Sequence, residues 1–491
     1  MSIQSKDKMK EMLSFKLLSN ENVRRIHSAS LEVLGTKGVR VMRDGALNML
    51  ERAGAKVDYH TKQVLFPSEL VEQSIERAPK TILFAARNKK YDLVLSPGGI
   101  TYTRTVTGSA GYIDDLTTGK YRKILLSDVK DWARLVDALE NVNYCSGIFA
   151  SDVPLATRDI HIFIAMLENT EKHLQFSAEE SGSTENFKYI IRLASAVAGG
   201  KEELRKRPIF NILTTAFSPL EYNEVTVDML LMAGEYGIPV ELATCPIAGA
   251  TGPVTPVGVV LLANVELLAG VVIAEVANPG APLVLAPRVY FLNMREGNVL
   301  GGCVESAMVA AMQAQVFNEC YGIPTCLSGP GTDAMLSDEQ SMIERVYHTL
   351  LPALAGVNVL ACAGLVEQAS TVSPIQLVID NEILAMTLRI LRGFSVDNDS
   401  LGIKTIDKVG PGGNFLTENH TLKYFRTEYL MPPIFNRMCR ENWEKSNIKD
   451  FKARAKNRVL DILGEHQSSP LDKNLAKELR LIMKEAEKEI V

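Results

Sequence analysis

The stretch that decides the fold runs from Ile238 to Glu266 and reads IPVELATCPIAGATGPVTPVGVVLLANVE. It begins with a short apolar run, IPVELAT, which predicts a buried strand. The next segment, CPIAGATGPVTPVG, contains three glycines and three prolines. It cannot be a helix, because Pro removes backbone donors and Gly frees the backbone. An apolar helical run follows, so the stretch predicts one strand, one broad loop and one buried helix in succession.

The same alternation of apolar strand and helix recurs along the chain. The strand candidates are YCSGIF, HLQFSA, PIFNILTT, IPVELAT, PLVLAP, IPTCLSG and VNVLACAG. Apolar strands that alternate with helices predict a parallel sheet covered on its faces. Seven or eight repeats over roughly 250 residues favour a (β/α)8 barrel. An open doubly wound sheet is the alternative, but no G-x-G-x-x-G follows the first strand and no G-x-x-x-x-G-K-[ST] occurs.

We therefore predict an α/β fold with three regions. Residues 1–125 form a helical and extended flank, residues 126–446 form the (β/α)8 TIM barrel, and residues 447–491 form a helical tail. The tail carries an apolar stripe at helical spacing, which is typical of either a packed terminal helix or a dimer element. A homo-oligomer is expected.

Composition narrows the possible partners and location. The chain has 491 residues and a formal net charge of −5, so no basic excess indicates a nucleic-acid partner. The longest apolar run, from Val257, is interrupted by Asn264, Glu266 and Glu275, which predicts a buried helix and no membrane span. Seven scattered cysteines fit thiols in a reducing compartment. We expect a cytoplasmic protein.

Four long segments then point to a known family. CPIAGATGPVTPVGVVLLANVELLAGVV, SGPGTDAMLSDEQ, LLPALAGVNVLACAGLVE and QLVIDNEI closely resemble the trimethylamine methyltransferase family, and the resemblance extends over most of the chain. It implies a (β/α)8 barrel that moves a methyl group from a methylated amine to the cobalt of a corrinoid (cobalamin). The corrinoid is implied to be carried by a separate small protein.

One departure from the family concerns pyrrolysine. The trimethylamine enzymes of the family carry it in the barrel, whereas this chain contains only the ordinary twenty residues. The resemblance therefore implies the branch that acts on quaternary amines, for which glycine betaine is the simplest substrate and proline betaine, carnitine and γ-butyrobetaine are alternatives. A quaternary ammonium already carries the charge that makes a neutral tertiary amine a leaving group, so no metal is needed to activate the methyl group. We predict that the chain binds no metal directly.

The predicted pocket needs aromatic faces and carboxylates for the ammonium, and cationic donors for a substrate carboxylate. In a barrel, residues that follow the strands are the first candidates. His348 could bind a carboxylate with Glu344, one helical turn earlier, as its orienting partner; Asp338 is expected to cap the same helix. The substrate-binding candidates are Tyr102, Arg104, Tyr112, Arg288, Tyr290, Phe291, Asp333, Glu344, His348 and Glu367.

A second set of candidates is expected at the mouth, where the corrinoid protein would dock. The glycine-rich loop after IPVELAT supplies Gly249, Thr251 and Gly252, and the aromatic segment near the end of the chain supplies Phe415 and His420. Adjacent acidic residues such as Glu179 and Glu180 rarely enter one site together. Cys326 and Cys362 lie within strands and are expected to be core residues. No catalytic residue is assigned.

Two other functions remain open from the sequence. A zinc-dependent methanol or thiol methyltransferase also uses a corrinoid partner, but the zinc ligand pairings that it needs are not visible. A non-catalytic betaine-binding protein would need only an aromatic box, since cation–π contacts alone hold a quaternary ammonium.

Overall fold

The computed structural model describes residues 15–106, 110–177, 184–447 and 450–490. The chain before the barrel forms α1 (Asn20–Thr36), β1 (Val39–Val41), α2 (Asp44–Arg52), β2 (Lys56–Asp58), β3 (Gln63–Leu65), α3 (Ser68–Arg77), β4 (Ile82–Phe84) and β5 (Leu93–Leu95).

The first half of the barrel follows. It comprises β6 (Tyr102–Thr105), β7 (Tyr112–Asp114), β8 (Tyr121–Lys123), α4 (Leu126–Ala138), β9 (Tyr144–Ser146), α5 (Arg158–Asn169), β10 (His173–Ser177), α6 (Thr184–Ala198), α7 (Lys201–Lys206), β11 (Phe210–Ala216), β12 (Glu221–Tyr222) and α8 (Glu224–Tyr236).

The second half and the C-terminal region complete the described chain. They comprise β13 (Val240–Thr244), β14 (Ile247–Ala248), α9 (Pro256–Ala277), β15 (Leu283–Pro287), β16 (Tyr290–Leu292), β17 (Val299–Leu300), α10 (Val304–Val316), β18 (Cys326–Ser328), α11 (Glu339–Leu354), β19 (Val359–Ala363), β20 (Leu365–Val366), β21 (Thr371–Val372), α12 (Pro374–Arg392), α13 (Ile403–Val409), α14 (Asn419–Glu428), α15 (Arg440–Lys445), α16 (Phe451–Glu465) and α17 (Lys473–Ile490).

Eight parallel strands form the central sheet. Their order is β15–β13–β11–β10–β9–β6–β19–β18, and a parallel bridge between Leu285 and Thr325 joins the two outer strands and closes the sheet. Helices connect the successive strands and return the chain to the start of the next one. The predicted (β/α)8 TIM barrel is therefore confirmed.

All seven predicted strands belong to this barrel, but the eighth strand corrects the predicted boundary of the barrel. It is β6, which pairs in parallel with β19 and β9 and lies in the segment that we had assigned to the N-terminal flank. Its sequence, YTRT, is polar and short, so it lacks the apolar run that revealed the other strands.

A hairpin closes the bottom of the barrel, which is the end where the strands begin. β4 and β5 pair antiparallel, and their side chains Phe84 and Leu95 pack in one cluster with Tyr144 and Val359 from the barrel interior. The ring of Phe84 stacks on His173, with 4.4 Å between the ring centroids. Access to the interior is therefore confined to the opposite end, where the strands finish.

The long apolar helix predicted after Val257 is α9. It is long and apolar enough to cross a membrane, but 78% of its most apolar window is buried inside the protein. Its Glu266 accepts hydrogen bonds from the Ser218 hydroxyl at 2.8 Å and from the Leu220 backbone N–H at 2.9 Å. The position of α9 agrees with the predicted buried helix.

The C-terminal helices cover the outside of the barrel. α16 packs against α12 and α4, and α17 packs against α6 and α5. Arg192 of α6 pairs with Glu485 of α17 at 2.6 Å. Of the two roles predicted for the tail, the packed terminal helix is confirmed.

A buried ion pair connects α11 and α12. Arg345 Nη1 lies 2.8 Å from Asp380 Oδ2, and both side chains are fully buried. The second carboxylate oxygen of Asp380 accepts from Gln376 at 3.0 Å, while Oδ2 also accepts from the Gly364 N–H at 2.7 Å. The pair therefore holds two helices and the end of β19 together.

Replacing Asp380 with Ala is expected to lower the free energy of unfolding by about 3–5 kcal/mol, because Arg345 becomes an unpaired buried charge. Urea denaturation followed by circular dichroism measures the loss. The matched control is Glu444→Ala, which removes an exposed partner of Arg440 and should leave the unfolding free energy nearly unchanged. Similar losses in the two variants would contradict this role of the buried pair.

His173 predicts a pH dependence of stability. Burial lowers its pKa from 6.5 to about 4, so between these pH values the unfolded chain binds a proton that the folded chain does not. The free energy of unfolding should therefore fall by up to about 3 kcal/mol as the pH drops from 6.5 to 4. Urea unfolding of the wild type and of His173→Gln across this range tests it. The variant should show the flatter profile, and parallel profiles would rule out the assignment.

Candidate functional site

A charged group of side chains lies inside the barrel. We call Arg104, Tyr144, Glu241, Arg288 and Cys326 the axial cluster. Arg104 Nη2 lies 3.2 Å from Glu241 Oε2, and both side chains are fully buried. Tyr144 donates its hydroxyl to Glu241 Oε1 at 2.6 Å. Arg288, which directly follows β15, donates to the Cys326 carbonyl at 2.5 Å and to the Cys326 sulfur at 3.2 Å. Side chains from five different barrel segments thus meet in a single cluster.

Electrostatics keep three side chains of the cluster charged, namely Arg104, Glu241 and Arg288. Burial raises the pKa of the Glu241 carboxyl, whereas the positive charges of Arg104 and Arg288 lower it. The lowering is larger, so the net pKa lies below its usual value. Burial opposes the charge of Arg104, but the Glu241 carboxylate raises the pKa of the guanidinium overall. Two guanidiniums therefore accompany one carboxylate, and the axial cluster carries an excess of positive charge.

Apart from the Arg104–Glu241 ion pair, two buried donors near this cluster have no hydrogen-bond partner among the described residues. They are Arg104 Nε and Gln175 Nε2. Gln175 uses its oxygen to accept from the Ser146 hydroxyl at 2.8 Å, and Ser146 also lies 3.5 Å from Arg104 Nη1. Leaving a buried donor unpaired costs about 1–3 kcal/mol. An anionic ligand in the barrel would satisfy such donors.

Part of the axial cluster was predicted from the sequence. Arg104 and Arg288 were both proposed, and the structure brings them together, although Arg104 came from a segment not recognised as a barrel strand. Glu241 and Tyr144 were missed. The available signal for Glu241 was a carboxylate in the centre of the otherwise apolar run IPVELAT. Cys326 is a core residue as expected, since its side chain is fully buried; this burial raises the pKa of its thiol.

Asp333 organises a second region, at the mouth. Its Oδ1 accepts from the backbone N–H groups of Gly301 and Gly302, at 2.7 and 2.8 Å, and from Gln368 Nε2 at 3.0 Å. A Cβ on Gly302 would lie 2.4 Å from the Asp333 nitrogen, so only glycine allows this approach. Asp333 therefore holds the loop between β17 and α10 against the loop that follows β18.

Glu344 and His348 stabilise the same two loops. Glu344 Oε2 accepts from the Thr332 hydroxyl at 2.6 Å and from the Asp333 N–H at 2.8 Å. His348 is buried, and its Nε2 donates to the Cys303 carbonyl at 3.0 Å; burial lowers its pKa. The predicted pairing of Glu344 with His348 is therefore not found, because each side chain bonds to a different loop.

The turn at Glu367 has an unusual backbone. Glu367, Gln368 and Ala369 have φ values of 53°, 54° and 86°, a region that L-residues rarely adopt. Glu367 accepts from the Thr371 hydroxyl at 2.6 Å, and the Gln368 bond to Asp333 holds the turn from the other side. Backbone strain of about 1–3 kcal/mol per residue persists only where the surroundings enforce it, and such strain clusters at functional sites.

The glycine-rich loop forms part of the rim, as predicted. Its β14 pairs in parallel with β16, which carries Tyr290 and Phe291. Thr251 folds the loop back by accepting from the Ile247 N–H at 2.9 Å. The Gly249 N–H donates to the Gly252 carbonyl at 3.0 Å. These residues frame the mouth; their contact with a corrinoid remains a prediction.

The two flank tyrosines separate in the structure. Tyr102 is the first residue of β6, so it lies at the bottom of the barrel, where its hydroxyl accepts from the Val94 N–H at 3.4 Å. Its predicted position in the pocket is wrong, because the first residue of a barrel strand lies at the end away from the mouth. Tyr112 lies beside the mouth on β7, paired with Thr371 of β21, and is 46% exposed.

Phe415 and His420 do not lie at the mouth. They belong to residues 393–431, which we call the arm and which begins where α12 ends. Asn381 of α12 bonds to Asn141, which precedes β9 and marks the bottom of the barrel. Arg392 is eleven residues further along the helix, or about 16 Å beyond. The arm therefore starts past the end opposite the mouth.

Other features delimit the site. Glu179 and Glu180 lie outside the described residues. Within the described ranges, no three His, Cys, Asp or Glu side chains are grouped to hold a metal ion; metal independence remains a prediction.

A cleft of about 590 Å³ is lined by residues such as Pro208, Pro239 and Pro282, each of which precedes a barrel strand. It therefore opens at the bottom, away from the end where TIM barrels place their chemistry.

A barrel with a closed bottom, a charged interior and an ordered mouth is the architecture in which TIM-barrel enzymes place their active sites at the C-terminal face. Comparison with known proteins gives the family. The chain belongs to the trimethylamine methyltransferase (MTTB) family, whose model matches residues 2–490.

Individual relatives agree with this assignment. The chain is 33% identical over 478 residues to the trimethylamine methyltransferase MttB of Desulfitobacterium hafniense (strain DSM 10664 / DCB-2), covering 96% of this chain and 94% of the relative. It is 29% identical over 479 residues to the glycine betaine methyltransferase of Desulfitobacterium hafniense (strain Y51), covering 97% and 98%. The crystal structure of the Methanosarcina barkeri monomethylamine methyltransferase (MtmB) superposes with a TM-score of 0.54 at 12% identity, covering 100% of this chain and 92% of that chain. This last likeness shows the fold.

Replacing Asp333 with Ala is expected to release the loop between β17 and α10, because the Gly301 and Gly302 N–H groups lose their acceptor. Hydrogen exchange measured by mass spectrometry should be faster in residues 299–303, and Asp333→Asn, which keeps an acceptor oxygen, should show a smaller change. The control is Asp338→Ala. Asp338 caps α11 as predicted, accepting from the Ser341 N–H at 3.1 Å, so its loss should affect only that helix start. Unchanged exchange in Asp333→Ala would refute this role.

Proposed function

We propose that this chain transfers a methyl group from a quaternary amine that also carries a carboxylate to the Co(I) of a corrinoid held by a separate small protein. Glycine betaine is the preferred substrate and dimethylglycine the product. The observation that carries the proposal is the excess positive charge of the axial cluster, taken together with membership of a methyltransferase family. The full-length similarity to a glycine betaine methyltransferase supports the same substrate class.

The axial cluster suits the carboxylate end of such a substrate. Arg104 and Arg288 are both buried, and Glu241 compensates only one of the two guanidiniums. Charge-assisted hydrogen bonds between guanidinium and carboxylate are among the strongest in proteins. Arg104 Nε and Gln175 Nε2, which have no hydrogen-bond partner in the part of the chain that the structure describes, supply additional donors. A neutral amine without a carboxylate would leave them unsatisfied.

The difference between the two ends of the barrel sets the orientation of the substrate. With the bottom plugged, the substrate carboxylate points inward and the trimethylammonium group points towards the mouth. Tyr290, on the rim strand β16, would offer its aromatic face to the ammonium, a contact worth about 0.5–2 kcal/mol. Phe291 is the next residue of the strand, so its ring points to the other face, where it packs against the hydrophobic core. The transferred methyl group then faces the direction from which an acceptor can approach. Positioning and exclusion of water are the protein's main contributions to rate.

The rim also fits a docked corrinoid. Exposed apolar side chains surround the mouth, where they would contact the macrocycle and its carrier; they include Phe217, Val254, Met294, Met335 and Leu336. When docked there, the corrinoid supplies a Co(I) nucleophile that accepts the methyl group as a cation. The neutral tertiary amine leaves with the electron pair of the broken C–N bond, so no side chain has to donate a proton.

Arg288→Gln provides a direct test. The substitution leaves the Arg104–Glu241 pair in place but removes one positive charge, so kcat/KM for glycine betaine should fall about 10- to 100-fold. Activity on tetramethylammonium, which lacks the carboxylate, should change little. Formation of methylcobalamin from free cob(I)alamin, followed by absorbance, measures both rates.

The matched control is Arg295→Gln, which removes the same charge from an exposed rim position and should leave the ratio of the two substrates unchanged. Equal losses on both substrates in Arg288→Gln would contradict the carboxylate assignment. If the wild type methylated cobalamin from trimethylamine but from no quaternary amine, the substrate class itself would be wrong. Methyl transfer that requires added zinc and uses methanol would favour the metal-dependent alternative.

A further inference from the structure

We propose that Cys362 determines which length of substrate the barrel accepts. Its thiol limits the space in which a substrate carboxylate settles beside Arg104 and Arg288, so a betaine with one carbon between ammonium and carboxylate is favoured over longer betaines. This role rests on the proposed function and adds the side chain that reads the length of the substrate.

A β-bulge in β19 lies directly opposite Arg104. The register of β19 against β6 shifts between Leu360 and Ala363. Two residues of β19, Ala361 and Cys362, therefore stand opposite one residue of β6, Arg104. Bulges re-aim side chains and are over-represented next to active sites. This bulge changes the direction of a side chain right beside the axial cluster.

The bulge turns the side chain of Cys362 into the barrel. Side chains alternate between the two faces of a regular strand, and in β19 Leu360 belongs to the surrounding core whereas Ala361 belongs to the apolar cluster of the barrel interior. Regular alternation would direct Cys362 outward, yet it also packs against the interior cluster. Its thiol is near enough to Arg104 and Arg288 to interact electrostatically with both.

The backbone at Cys362 is strained. Its φ is 84°, which lies in the left-handed region that favours glycine. Such conformations persist only where the surroundings enforce them, and they cluster at functional sites. A glycine would relieve the strain but would leave no thiol at this point. The strain therefore indicates a use for the side chain other than stability.

An open space lies above the axial cluster, on the side of the mouth. Cys362 is only half-buried, whereas Cys326 is fully buried; because the hairpin β4–β5 closes the bottom, the exposed part of Cys362 faces the mouth. Three small side chains near the ends of other barrel strands are half-buried as well, namely Ser177, Thr215 and Ser328. Each lies two residues after a side chain of the barrel interior, and positions two apart share a face of a strand.

The charged floor of this space indicates what it holds. Arg104 is fully buried, and its Nε has no hydrogen-bond partner within the described ranges. A carboxylate would supply the acceptor that this donor needs and would balance the second guanidinium, that of Arg288. A thiol is only a weak hydrogen-bond donor, so Cys362 contributes to the site through the volume of its sulfur.

The distance between carboxylate and ammonium then decides where the methyl group lies. With the carboxylate held by the guanidiniums, each extra methylene moves the ammonium further towards the mouth. Glycine betaine has one carbon between the two charged groups, and β-alanine betaine has two. Removing the sulfur would let the carboxylate of the longer molecule settle deeper, which returns its methyl group to the reactive position. One methylene changes kcat/KM by about 10- to 200-fold in a fitted pocket.

The first test compares glycine betaine with β-alanine betaine in methyl transfer to free cob(I)alamin. In Cys362→Ala, the ratio of kcat/KM for glycine betaine to that for β-alanine betaine should fall at least about 10-fold. Cys362→Ser, which nearly keeps the size of the side chain, should retain most of the preference. The matched control Cys439→Ala removes an exposed thiol and should leave the ratio unchanged. An unchanged ratio in Cys362→Ala would overturn the proposal.

A second test needs no methyl transfer. Iodoacetamide should alkylate Cys362 of the full chain through the mouth, and glycine betaine should slow this reaction, as measured by peptide mass spectrometry. Tetramethylammonium at the same concentration should protect far less, because it lacks the carboxylate. Alkylation of the exposed Cys439 is the internal reference and should respond to neither compound. Absence of protection by glycine betaine, or equal protection by both, would also overturn the proposal.

A glycine variant tests the strain and verifies that the chain still folds. Cys362→Gly and Cys362→Ala both lack the thiol, but only glycine adopts a φ of 84° without strain, so its urea midpoint should be the higher of the two. A lower midpoint for glycine would contradict a strained backbone at this residue.

Failure of this proposal can be told apart from failure of the proposed function. A wild type that transfers a methyl group from glycine betaine, together with an unchanged ratio in Cys362→Ala, would remove the role of Cys362 alone. A wild type that transfers no methyl group from any betaine, while glycine betaine still protects Cys362, would refute the methyl transfer and support the place of Cys362 in the binding site.

Discussion

Charge buried on the axis of a closed barrel is the constraint on which the rest of the structure depends. Taking Arg104 and Glu241 out of water costs several kcal/mol per ion, and their attraction offsets this only when further hydrogen bonds complete the geometry. Tyr144 supplies such a bond to Glu241 at 2.6 Å, and Asn211 supplies another at 3.1 Å. The cluster thereby joins side chains from several strands, and the hairpin β4–β5 packs against the barrel interior below it.

The mouth is held together differently, by hydrogen bonds from side chains to the backbone of neighbouring loops. These bonds also support a strained turn. Asp333 directs its carboxylate to neighbouring loops, and the turn at Glu367–Ala369 is held in a left-handed backbone conformation. These side chains position the loops of the mouth, and their contact with a substrate stays a prediction. In the proposed reaction, the barrel interior is thus left to recognise the substrate, and the rim to present its methyl group.

Much of the fold could be predicted because its signals are local. Seven apolar runs alternating with helices were enough to predict the barrel, and interrupting polar residues such as Glu266 and Glu275 were enough to recognise α9 as a core helix. The eighth strand, β6, was not predicted because its sequence YTRT has no apolar run. It is a barrel strand because it pairs with β9 and β19, which lie elsewhere in the sequence. Local pattern cannot report such a pairing.

The sequence by itself determined the fold class and the family resemblance, since these follow from periodicity and from long contiguous motifs. The tertiary structure decided which side chains meet. Arg104 and Glu241 are 137 residues apart in the chain and form one ion pair, while Glu344 and His348, one helical turn apart, bond to different loops. Phe415 and His420 were placed at the mouth by composition, but they belong to a segment that starts beyond the opposite end. Contacts between distant segments depend on how the barrel closes, and closure is a property of all eight strands together.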